Sequence, residues 1–105
     1  MAKSRYNYII FEMRIKKMKK PIYKFYSDAG HGWLAVKRSE LVKLGIDGEI
    51  SSHSYQNGNT VYLEEDSDAS KFFTAYIATY GCKPQIVEKE SVDYSPIRNY
   101  DRYTA

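Results

Sequence analysis

From Pro21 onward the chain falls into short alternating stretches. Ile22-Tyr23-Lys24-Phe25-Tyr26 and Trp33-Leu34-Ala35-Val36-Lys37 each show a period of two, which predicts two strands joined as an antiparallel pair. Tyr23 and Phe25 would share one face with Leu34 and Val36, leaving Tyr26 and Trp33 on the other. Ser39 is placed to cap a short helix running to Leu44, with Gly45 ending it and Ile46 packing back on Leu41 in a Schellman-type contact. Asp47-Gly48 reads as a turn, and Glu49 to Tyr55 as a polar segment, one short strand followed by an irregular loop. After the turn signal Asn57-Gly58, Thr60-Val61-Tyr62-Leu63-Glu64 is the strongest strand, with Val61 and Leu63 directed to the core.

A second helix is expected over Ala69 to Tyr80, capped by Ser67 or Asp68 and ended by Gly81. Phe72, Phe73, Tyr76, Ile77 and Tyr80 recur at the spacing of one apolar stripe. Gln85-Ile86-Val87-Glu88 is a last strand, set at a sheet edge by Pro84 and its charged neighbours. From Glu90 onward no period holds, so the end of the chain reads as a tail wrapped over the sheet through its tyrosines. These elements predict a small single α+β domain: a mainly antiparallel sheet of about four to five strands with two helices on one face. Residues 1–20 form a basic extension or linker, 21–92 the globular domain and 93–105 the tail.

Charge sharpens the boundary at the amino-terminal end. Residues 1–20 hold seven Lys and Arg against Glu12 alone, +6, so the total of +3 leaves −3 for residues 21–105. A basic groove for phosphates is therefore not expected in the domain, and nucleic acid would be met only through the basic arm. Met18 offers an alternative translation start that would make residues 1–17 an extension. Alternatively, Tyr6 to Met13 adds a strand or short helix at the domain edge.

The composition, 43% hydrophobic and 15% aromatic, is that of an ordered globular chain, and the eleven tyrosines supply rings that pack while their hydroxyls stay wet. Cys82 stands alone, so there is no internal disulfide and no cysteine-based metal cluster, and a reducing, cytoplasmic compartment is expected. No apolar run approaches the roughly 20 residues of a membrane span. No phosphate-binding, dinucleotide or zinc-protease motif is present, so no cofactor or metal is expected.

Candidate chemistry gathers in Tyr26-Ser27-Asp28-Ala29-Gly30-His31-Gly32-Trp33. Two glycines flank a histidine, Asp28 precedes it by three residues, and the pair could face each other across a turn whose glycines accept positive φ. The plain structural alternative is a hairpin loop with a solvated histidine and a sheet-face tryptophan. A second polar group lies at Ser51, Ser52, His53, Ser54, Tyr55 and Gln56, and Glu64 opens an acidic run that also suits a helix start. Asp28, His31, Trp33, Tyr55, Gln56 and Glu64 are the candidate binding residues, with Trp33 expected to be exposed as a contact anchor.

Ser27 to Leu34, Ser54-Tyr55-Gln56, Val61 to Asp66 and Ile97-Arg98-Asn99-Tyr100 resemble, across about Met18 to Tyr103, small uncharacterised proteins of bacteriophages and bacterial mobile elements. In that family proline commonly stands where this chain has Ala29. The resemblance implies an origin, and it carries no activity. Two functional classes follow. The favoured one is an accessory protein that binds a host or phage macromolecule, a protein above all, through an aromatic-rich loop and sheet surface. The alternative is a small hydrolase or ligand-binding protein with an Asp/His loop site.

Overall fold

A computed structural model describes residues 21–90 and 94–105. The expectations for residues 1–20 lie outside the described residues. The strands are β1 (Ile22–Ser27), β2 (Gly32–Lys37), β3 (Tyr55–Asn57), β4 (Thr60–Glu64), β5 (Gln85–Glu90) and β6 (Asp101–Arg102), with helices α1 (Arg38–Lys43) and α2 (Asp68–Tyr80). Among the described residues they form one six-stranded sheet in the order β5-β1-β2-β4-β3-β6. The α+β class and, among the described residues, the two helices match expectation. The sheet is larger than anticipated and mixed, because β5 lies parallel to β1 whereas the other pairs are antiparallel. The parallel pair follows from the connection: α2 carries the chain from β4 past β2 and β1, so β5 arrives by a crossover, not a hairpin.

Alternation sorts the side chains as the sequence suggests. Phe25 stands opposite Leu34 and Tyr26 opposite Trp33, so Tyr23, Leu34, Val36, Val61 and Leu63 reach one face and are buried. On that face lie Leu41 of α1 and Ala69, Phe72 and Tyr76 of α2, completed by Ile46 and Ile50. Tyr23 meets Phe72 and Tyr76 edge-on, with centroids at 5.2 and 6.0 Å. Burial pushes the Tyr23 hydroxyl pKa up, and the neighbouring Glu40 carboxylate adds to the rise.

The Schellman ending of α1 is present. Ile46 N–H donates to Leu41 O, Gly45 N–H to Val42 O, and Gly45 adopts φ +74°. Ser39, however, lies inside α1; Lys37 is the N-cap and its side chain makes no capping bond. Helix α2 begins at Asp68 and ends at Gly81 in the left-handed region. Its buried stripe is Ala69, Phe72 and Tyr76, while Ile77 is 41% exposed, so the stripe is narrower than the pattern implied. Asp47 to Glu49 form a 3-10 turn, and the polar segment yields no strand until Tyr55, because Ser51 and Ser54 turn inward to a buried carboxylate. The β3–β4 hairpin turns on Gly58 at φ +60°.

The end of the chain belongs to the fold. Pro96–Asn99 form a 3-10 turn on the face away from the helices, β6 pairs with β3, and Tyr103 is buried in the helical-side core with its hydroxyl donating to Asp47 O at 2.5 Å. Substituting Phe72 by Ala should cost about 3 to 5 kcal/mol in urea unfolding, as for a buried ring. Ile77→Ala should stay within about 0.5 kcal/mol, as for an exposed position.

Candidate functional site

The face of the sheet opposite the helices, its open face, carries Tyr26, Trp33, Tyr55, Tyr62 and Glu64 by the strand registers. Residues 94–100 cross it as a strap. Asp28, in the β1–β2 loop, holds that strap in place. One carboxylate oxygen accepts Arg98 Nη2 at 2.8 Å and the Gly30 and His31 amides at 3.1 Å; the other accepts Arg98 Nε at 2.8 Å and the Ser95 amide at 3.0 Å. The side chain is 2% exposed. The Arg98 hydrogen bonds, followed by that from Ser95, hold the Asp28 carboxyl well below the ordinary carboxylate range against the opposing effect of desolvation. A fork of this kind is strong and fixes geometry as well as charge.

Asp28 therefore does not orient the His31 imidazole; it engages the His31 backbone amide. The imidazole is half exposed, and its Nδ1 lies 4.0 Å from Glu64 Oε1, beyond a hydrogen bond. Glu64 Oε2 instead accepts from the Asp66 amide at 2.9 Å and the Ser67 hydroxyl at 3.0 Å. Trp33, expected at the surface, is 2% exposed. The Arg98 guanidinium lies 5.3 Å above its ring, and Tyr55 packs on it edge-on at 6.1 Å. Trp33 is covered because the strap, distant in sequence, seats Arg98 on the indole. Neither Gly30 nor Gly32 has positive φ. Gly32 is required for space, since a Cβ there would collide with the Phe25 ring and the Glu65 carboxylate.

Tyr55 lies on the open face under Arg102, whose guanidinium is 4.6 Å from the ring. Gln56 points the other way, as the partner of Val61. Its Oε1 accepts from Arg38 Nη2 at 2.5 Å and from the Thr104 amide at 3.1 Å, tying the chain end to α1. Five of the six candidates thus gather around the loop end and the open face, and Gln56 is separated from them by the sheet.

Two features escaped the sequence pattern. One is a cleft of about 320 Å³ between strap and sheet, lined by Tyr26, Tyr62, Lys89, Glu90, Ser95, Pro96, Ile97 and Tyr100. Tyr62 lies 6.2 Å from Tyr26 and 5.2 Å from Tyr100, ring to ring, and burial, with these two neighbours, raises its hydroxyl pKa. The tyrosine excess was the available signal. The other is Asp68, fully buried, accepting from Ser54 Oγ at 2.5 Å, Ser51 Oγ at 2.7 Å, the Ser51 amide at 3.1 Å and Lys71 Nζ at 3.0 Å. Burial alone would raise its pKa; the bonds from Ser54, Ser51 and Lys71 outweigh that and lower it. This cluster ties the 51–54 loop to the start of α2.

Among the described residues no group of three potential ligands could hold a metal ion. No helix of the described residues is long and apolar enough to cross a membrane. No family model, curated protein or solved structure matches this chain.

Because the folded Asp28 and Asp68 carboxyls titrate below their ordinary value of 3.8, their stabilisation is complete above that pH and is lost as pH falls below it. Asp28→Asn should lower the melting midpoint at pH 7 and flatten its fall between pH 5 and pH 2, as followed by thermal denaturation across that range.

Proposed function

We propose that this chain is a non-enzymatic binding protein that engages a partner protein through the open face of its sheet. One observation carries this reading: the clasped strap leaves a tyrosine-lined cleft beside a border of exposed lysines. Lys24 and Lys89 lie on β1 and β5 next to the cleft, each on the open-face side of its strand, and both are exposed. Arg102 adds a third cation over Tyr55. Glu90 lines the cleft beside Lys89 and Glu64 stands on the open face at the end of β4, so the rim of the cleft is polar and of mixed charge. Tyrosines with a polar rim are the composition of protein-contact surfaces.

The sequence resemblance supports placing such a protein among the accessory proteins of bacteriophages or mobile elements, acting in the host cytoplasm. The Asp/His hydrolase alternative draws less support, since a carboxylate with five donors has no capacity left to fix an imidazole.

Immobilised full-length protein should capture a partner from extracts of host cells. Lys24→Glu combined with Lys89→Glu should weaken that capture by about tenfold or more with the melting midpoint unchanged. Lys43→Glu, on exposed α1, should leave it intact. Capture lost with Lys43→Glu and kept by the double variant would move the contact to the helical side and sink the proposal.

A further inference from the structure

We propose that the outer edge of β5 takes up an extended strand of the partner protein, one that sets a basic residue opposite Glu88 and an acidic residue opposite Lys89. This rests on the open-face reading above and specifies how that face is engaged. Among the described residues β5 pairs with β1 alone, along its whole length from Gln85 to Glu90, and all six of its residues are exposed. Such an edge presents a row of solvated backbone donors and acceptors that is a ready template for another strand. Ile22, Ile86 and Val87 are exposed apolar side chains at the same edge.

The register assigns each side chain to a face. Lys24 opposite Val87 and Tyr26 opposite Lys89 put Val87 and Lys89 on the open face; Tyr23 opposite Ile86 and Phe25 opposite Glu88 put Ile86 and Glu88 on the helical face. Directly opposed residues share a face, and opposite charges there stabilise while like charges oppose pairing. An incoming antiparallel strand reading Glu-Lys-Val-Ile therefore meets Lys89, Glu88, Val87 and Ile86 in turn. A strand with those charges exchanged meets like charges twice.

Other occupants fit less well. A second copy related by a two-fold axis keeps faces together, so pairing centred on Glu88 or Lys89 opposes like charges, and pairing centred on Val87 makes no opposite-charge pair. A nucleic acid strand lacks the alternating donors and acceptors of a peptide backbone, and its phosphates would meet Glu88.

The test uses the full chain, isotope-labelled, and two capped eight-residue peptides of one composition, with central Glu-Lys-Val-Ile or Lys-Glu-Val-Ile. The first should slow amide hydrogen exchange within residues 85–90 and bind about tenfold more tightly than the second. Exchanging the charges on the protein, Glu88→Lys with Lys89→Glu, should reverse that preference. No slowing with either peptide up to about 1 mM overturns the proposal. Changes confined to Tyr26, Tyr62 and Tyr100 also overturn it, while leaving the open-face reading standing. The remaining overturning results identify another occupant. One is slow β5 exchange in the free monomer, meaning that the chain covers its own edge. The other is a dimer in sedimentation that Val87→Lys dissociates, meaning a second copy. Failure of the open-face reading itself would show separately, as partner capture indifferent to Lys24→Glu with Lys89→Glu.

Discussion

The carboxylate of Asp28 is the point on which the open face depends. It joins the β1–β2 loop to a segment 70 residues further along the chain, and both of its oxygens are used. A 3-10 turn of four residues has little stability of its own, so residues 95–98 are held above Trp33 by this joint together with the buried side chain of Ile97. With the joint in place, Arg98 is held between the rings of Trp33 and Tyr94, at 5.3 and 5.2 Å, and Tyr100 is carried onto Tyr62. The clasp thus closes one end of the strap that bounds the cleft. Its inner wall is sheet and its outer wall is strap.

Asp68 does comparable work on the helical side. A buried carboxylate is tolerated when hydrogen bonds surround it, and two serines and a lysine do so here. Ser54 also accepts the Glu64 amide, so the same node locks the end of β4 where the sheet hands over to α2. Each face of the sheet is therefore closed by one ion-centred cluster, with the hydrophobic core between them supplying the bulk of the stabilisation.

Local pattern carried much of this architecture and stopped at long-range contacts. The period of two placed Tyr23, Leu34, Val61 and their neighbours on the buried face, and the glycine after α1 announced its left-handed ending, because both follow from backbone geometry alone. The parallel placement of β5 was hidden, since a strand's sequence does not state which neighbour it meets. For the same reason Asp28 read as the partner of His31, three residues away, when its side chain belongs to Arg98. Trp33 read as exposed because its cover comes from a segment with no period at all. The inward turn of Ser51 and Ser54 left no trace in a polar stretch that resembles any solvated loop.

Hydrogen exchange at single amides tests the clasp most directly. In Asp28→Asn, the Ser95 amide and those of Ile97 to Tyr100 should exchange much faster than in the wild type, while amides of β2 and β4 at Leu34, Val36 and Leu63 keep their protection. That pattern would mean the strap is released and the sheet remains. Unchanged exchange at Ser95 to Tyr100 would show that the strap is held by its apolar contacts, and would contradict the role given to Asp28.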